Sequence, residues 1–250
     1  EKRYSRWKRA RESERWAATF TTRGGPAPGA RWTYLADRES DVYEAPLKCR
    51  AAGADFIIRA NQPRALEAQG GSLFDAVAAA PVLGYFELAL RARPGQRARR
   101  AKVEVRAVSV TLSGPKRPGG RLPPLAVNLV QAREVEAPPD VKEPIQWVLL
   151  TSWPITDVAC ALRVVKTYAS RWLIEEFHKA LKSGAGVEKS QLEDVQRLLP
   201  LIAILSVVAV WLLNLKLAAQ TTPNAPVAEA ALPQEAQEVL AHKVGQPPGG

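Results

Sequence analysis

The stretch from Tyr168 to Gly184, YASRWLIEEFHKALKSG, decides how this chain is read. Its charged and apolar residues alternate with a helical period. At ~100° per residue, Tyr168, Arg171, Glu175 and Lys182 fall within an arc of roughly 60°, and Leu173, Ile174, Phe177, Ala180 and Leu181 gather on the opposite side. The apolar side is built to pack. The other presents a carboxylate among cations, a mixture suited to a metal ion facing a phosphate backbone: the carboxylate holds a hard divalent cation while Arg and Lys bind phosphate oxygens. An ordinary amphipathic helix with a solvated charged face has the same pattern.

Spaced as Y-x2-R-x3-E-x6-K and running on into GAGVEKSQLEDVQRLLPLIAILSVVAVWLLNL, the stretch resembles the signature of bacterial insertion-sequence transposases of the IS-four group, within the DDE class. Two further stretches resemble that family in the same order. In YLADRESDVYE, Asp37 aligns with the second catalytic aspartate, and in IQWVLLTSWPI, Trp147 aligns with a base-stacking tryptophan. The resemblance implies an α/β fold, a partial ribonuclease-H-like core interrupted by an antiparallel β insertion, with C-terminal helices. It divides the chain into a partial core over residues 1–83 with the second catalytic Asp, a β insertion over 84–155, core helices with the signature over 156–220, and over 221–250 a linker and the start of a truncated dimerisation region.

The departure from the family is also informative. A DDE site uses two aspartates and a glutamate, with the first aspartate on a strand well upstream of the second, and residues 1–36 contain no Asp. With an opening Glu1, no Met and a close on PPGG, the chain is expected to be an internal piece of a longer protein and inactive in cleavage by itself.

Composition sets wider bounds. The chain has 250 residues, 46% hydrophobic and 24% charged, enough to fill a globular core. A formal net charge of +10 favours polyanionic partners, nucleic acid or an anionic membrane surface, and does not choose between them. Cys49 and Cys160 are far apart and lack metal-site spacing, so reduced thiols in a cytoplasmic protein are expected. The densely charged opening EKRYSRWKRARESERW is unlike a signal peptide. The apolar run Leu201 to Leu215 falls short of the ~20 residues needed to span a bilayer, and it is expected as a buried helix crossing the core, with a short membrane anchor as the alternative.

Along the chain, residues 1–20 have a helical pattern around Trp7 and Trp16, followed by a Gly/Pro loop. Trp32 to Ala36 reads as a buried strand ending at Asp37, a common placement for a catalytic carboxylate; the alternative is that Asp37 or Ser40 caps a helix. A helix over 41–52 and a strand over 55–60 follow. Residues 84–150 alternate apolar with polar between Gly and Pro clusters and predict antiparallel strands. The basic runs RARPGQRARRAK and SGPKRPGGR fall at hairpin tips, where they either touch DNA or are simply solvated. Trp147 reads equally as core. Thr156 is the expected N-cap of a long helix to Ser183, GAG its terminator, and Ser190 the start of another with Pro200 inside it. The tail from Thr221 reads as a linker with a short helix over 234–242.

The resemblance implies cut-and-paste transposition. Asp37 and Glu175 would be catalytic and would hold Mg2+ or Mn2+, which prefer hard oxygen ligands. Tyr168, Arg171 and Lys182, with Lys179 and Arg59 as weaker candidates, would contact the DNA backbone, and Trp147 would receive a flipped base. His178 reads as structural. The implied partners are duplex DNA, as transposon ends and target, and a second copy in the full-length protein; no membrane partner is expected. Two other classes compete: a DNA-binding or dimerising remnant without catalysis, and a basic membrane-associated helical protein.

Overall fold

The computed structural model describes residue 22 and residues 24–67, 70–90, 97–221 and 234–245. The helical reading of residues 1–20, the hairpin-tip reading of RARPGQRARRAK over residues 91–96 and the linker reading over 222–233 lie outside them. The chain divides into two compact units, Glu1–Ser170 and Arg171–Gly250.

The first unit is built on one six-stranded sheet. Its strands are β1 (Thr33–Ala36), β2 (Asp55–Arg59), β3 (Val82–Leu90), β4 (Arg99–Leu112), β7 (Leu125–Glu134) and β8 (Gln146–Thr151), in the order β1-β2-β8-β7-β4-β3. Strands β1 and β2 run parallel, joined through helix α1 (Glu44–Ala51), and the remaining neighbours are antiparallel. The predicted antiparallel strands therefore continue the sheet that β1 and β2 begin. The two-residue strands β5 (Lys116–Arg117) and β6 (Gly120–Arg121) form a separate small hairpin.

Alternation along the strands sends side chains to opposite faces of the sheet, and each face has its own core. Phe56 and Ile58 join Cys49 of α1 and Leu73 and Val77 of helix α2 (Leu73–Ala79) on one face. Ile57 joins Val103, Val130 and Leu149 on the other, under helix α3 (Val158–Ala169), which contributes Ala161, Val164, Val165 and Tyr168. Helix α2 begins with a reciprocal capping box between Ser72 and Asp75. The N-cap of α3 is Asp157 rather than the expected Thr156: the Asp157 carboxylate accepts from the Cys160 amide at 2.7 Å, which Thr156, one residue farther out, does not do.

In the second unit the signature is segmented. A 3-10 turn (Ser170–Trp172), starting at the last residue of the first unit, precedes helix α4 (Leu173–Lys179), and a π-helical turn (Ala180–Gly184) follows it. Gly186, at φ 71°, supplies the left-handed residue that ends the segment, in line with the terminator expected in GAG. Helix α5 (Val195–Thr221) starts after Asp194, whose carboxylate accepts from the Gln196 amide at 2.9 Å, and not at Ser190. Helix α6 (Gln234–Val244) is the short helix expected in the tail.

Helix α5 corrects the expectation for Leu201 to Leu215. The apolar run lies inside a helix of 27 residues, because the flanking Gln, Arg and Lys residues extend it in both directions, and its length and composition suffice to cross a membrane. It is not a buried core helix: Ile204 is 64% exposed and Val207 53%, and only Ala209 is buried. Apolar residues occupy its whole circumference, so a neighbour on one side covers only part of it. On that side the packing is close, since a Cβ on Gly184 would sit 3.0 Å from Leu212 Cδ1.

The far ends of β7 and β8 are tied by a buried carboxylate. Glu134, its side chain 1% exposed, makes a two-pronged pair with Arg99 and accepts from the Ile145 amide at 2.9 Å. The Arg99 guanidinium holds this carboxyl below its ordinary value of 4.5, against the opposing effect of burial. A group held low in the folded state stabilises it above its unfolded pKa and loses that contribution as pH falls. Glu134→Gln is expected to lower stability by about 2 kcal/mol at pH 7. In denaturant titrations the difference from the parent should shrink as pH falls below 4.5.

Candidate nucleic-acid and metal-ion site

Asp37 directly follows β1, whose last residue Ala36 pairs with Ile58 of β2. Its backbone is extended (φ −87°, ψ −168°), and its Oδ1 accepts from the Glu39 amide at 3.0 Å, capping the 3-10 turn Arg38–Ser40. The strand-end carboxylate and the capping residue are thus the same group. The helix expected over 41–52 is present as α1 and starts later, at Glu44, because Asp41 is used otherwise.

Asp41, 8% exposed, turns back toward the exit of β2. Its Oδ2 accepts from the amides of Asn61 at 2.6 Å and Gln62 at 2.8 Å, and its Oδ1 pairs with Arg64 at 2.5 Å. Arg64 also donates to the Asp41 carbonyl at 2.8 Å. Three donors on a buried carboxylate, one of them a guanidinium, make a structural clamp between the segments after β1 and β2. Sequence reasoning missed this role. The two acidic residues of DRESD look alike until the pairing of β1 with β2 brings residues 61–64 beside the second.

Arg59 ends β2 and donates to the Gln146 carbonyl at 3.1 Å. Trp147 on β8 lies opposite Ala132, half-buried against the α3 side of the sheet, and meets Tyr168 edge-on with ring centroids 5.1 Å apart. Tyr168 is 5% exposed. Its burial follows from the stripe Ala161, Val164, Val165, Tyr168, which has the i, i+3, i+4, i+7 spacing of a core face. That spacing was readable beforehand.

In the second unit Arg171 pairs with Glu175 at 2.7 Å, one turn apart. Lys182 on the π turn pairs with Glu188 at 3.3 Å, and Glu176 pairs with Lys216, tying α4 to α5. His178 lies against Phe177, ring centroids 5.6 Å apart. The arc drawn for an uninterrupted helix does not hold, because the 3-10 turn after Tyr168 and the π turn after Lys179 each change the angular step. Glu175 and Arg171 remain neighbours on one turn. Asp37 and Glu175 belong to different compact units.

Both carboxylates offer the hard oxygen donors that magnesium and manganese prefer. Among the described residues, no three or more His, Cys, Asp or Glu side chains gather as metal ligands. Residues 30–211, well over half of the chain, match the transposase DDE domain family. The chain belongs to that family. The match runs from just before β1 into α5 and includes Asp37, Trp147 and the whole signature. Members of this transposase family are DNA-transposition enzymes that generally use divalent metal ions.

Asp37→Asn keeps a good capping side chain and should leave stability within about 1 kcal/mol of the parent. Asp41→Asn leaves Arg64 buried without its counter-charge and should lose roughly 3 kcal/mol. Urea unfolding of the two variants distinguishes the clamp from the half-buried strand-end carboxylate.

Proposed function

We propose that the chain is part of a cut-and-paste DNA transposase of the IS-four group, similar to the Tn-five transposase, with a ribonuclease-H-like core carrying residues 84–155 as an inserted β segment. The observation that carries this reading is Asp37 at the end of β1 in a parallel β-α-β unit, within a family match that also includes Glu175. Asp37 and Glu175 would supply two of the three carboxylates that hold Mg2+ or Mn2+. When bound, such ions activate the attacking oxygen and stabilise the leaving oxygen at a phosphodiester.

The other residues act by positioning. Arg171 and Lys182, with Lys179 and Arg59, neutralise backbone phosphates and hold the transposon end in register. Tyr168 supports Trp147 from beneath, consistent with its burial, and Trp147 offers an aromatic face to a base removed from the stack. The working assembly is a homodimer on two ends in the cytoplasm. With two aligned carboxylates rather than three, this chain by itself binds DNA without cleaving it. A second reading, a DNA-binding remnant with no metal function, is favoured by the Arg171–Glu175 ion pair, which already occupies that carboxylate.

Duplex binding should weaken steeply with salt, and Arg171→Ala with Lys182→Ala should reduce the log–log slope by about 1.8, two phosphate contacts' worth. An unchanged slope removes this helix from the interface. Manganese binding followed by calorimetry should be lost in Asp37→Asn and in Glu175→Gln; equal binding by parent and variants supports the remnant. Metal-dependent cleavage by the chain alone, abolished by Glu175→Gln, would reveal a third carboxylate elsewhere in it.

A further inference from the structure

The β5–β6 hairpin carries two cations whose placement is unfavourable without an anion. Lys116 and Arg121 are direct cross-strand partners, both exposed. Like charges directly opposite on a two-stranded ribbon repel. Neither has a carboxylate partner among the described residues; Arg121 donates only to the neutral Gly114 carbonyl at 3.2 Å. They line an open cavity of about 520 Å3 together with Tyr43, Asp41, Arg64 and Arg117. Within and beside this cavity, Asp41 pairs with Arg64 at 2.5 Å and Glu44 with Arg117 at 2.6 Å. Of the residues that line the cavity, four are cations and one, Asp41, is a carboxylate; Asp41 and Glu44 take up Arg64 and Arg117, which leaves Lys116 and Arg121.

The hairpin is also held rigidly. Gly114 at its base is so close to the returning chain that a Cβ there would lie 1.8 Å from the Leu122 carbonyl oxygen. The buried Tyr43 hydroxyl lies within hydrogen-bond distance of the carbonyls of Leu112, at 3.2 Å, and Pro123, at 2.9 Å, one on each side of the hairpin. Two opposed cations on a clamped, exposed turn are preorganised for an anion with oxygens on both sides. A phosphate group fits that description.

Chain connectivity relates this cavity to Asp37. Asp41, on its wall, follows Asp37 by four residues, so their Cα atoms are at most about 14 Å apart. Along the duplex axis that distance corresponds to the rise of about four base pairs. We infer that the β5–β6 hairpin and the cavity beneath it form a phosphate-contact surface for duplex DNA, with Lys116 and Arg121 as its two contacts, distinct from the signature helix. The inference rests on the DNA-binding function proposed above and assigns part of that interface to the first unit.

The test is anisotropy of a labelled random-sequence duplex titrated with the full chain from low to moderate salt. For Lys116→Ala with Arg121→Ala, the log–log slope should fall by about 1.8 relative to the parent, equally for unrelated duplex sequences. Thermal unfolding should occur no lower than in the parent, because the substitution removes a repulsive pair. Lys116→Arg with Arg121→Lys should retain the parent slope. Glu44→Gln releases Arg117 and should steepen it by about 0.9. A parent that binds with steep salt dependence alongside an alanine double variant of identical slope would overturn this surface and leave the DNA reading standing. Equal loss in the charge-preserving pair would make the hairpin's role structural and overturn it as well. A parent without salt-dependent binding would overturn both.

Discussion

Burial of β2 on both faces is the constraint from which the first unit is organised. Phe56, Ile57 and Ile58 are at most 1% exposed, and each contributes about 2 kcal/mol on removal from water. Because successive side chains point to opposite faces, these three residues belong to both cores at once. The strand has to be covered by helices on each side and paired along each edge. Strand β1 occupies one edge and sets the position of Asp37; β8 occupies the other and carries Trp147. The spacing of these two candidate site residues therefore depends on a strand whose central side chains are all core.

Acidic side chains in this unit divide by the donors they meet. Asp41, Glu104 and Glu134 are buried and paired with arginines, and Asp55 is tied to Arg31 at 2.6 Å and Ser152 at 2.7 Å. Such carboxylates are committed to holding segments together, because stripping a guanidinium from a buried carboxylate leaves both charges uncompensated. Burial raises the Cys49 thiol to about 12, with Asp55 adding to it, so this cysteine is an inert part of the core. Basic residues are distributed differently. Among the described residues, Lys116 and Arg121 sit on the exposed β5–β6 hairpin without a carboxylate partner, where a polyanion can reach them.

The second unit combines a charged segment with a strongly apolar one. Short-range ion pairs order the signature: Arg171 with Glu175, Lys182 with Glu188, and Glu176 with Lys216. Each is at least partly solvated and contributes little to stability. Helix α5 is the opposite case. Its apolar residues extend around the cylinder, and a large part of that surface is exposed within the described residues.

The sequence by itself determined the features that depend on local order. The apolar stretch before Asp37 specifies β1, the alternation over 84–150 specifies the antiparallel strands, and the second glycine of GAG supplies the left-handed residue that ends the signature. The spacing of the signature and the two shorter matches carried the family. Tertiary structure alone decided which of two nearby aspartates is a clamp, since Asp41 differs from Asp37 only through Asn61, Gln62 and Arg64, brought beside it by strand pairing. It also decided that Tyr168 is buried against Trp147, and that Lys116 faces Arg121 across a turn. Periodicity describes one element at a time. The neighbours that fix a charged group's role come from segments far away in the chain, and only folding brings them into contact.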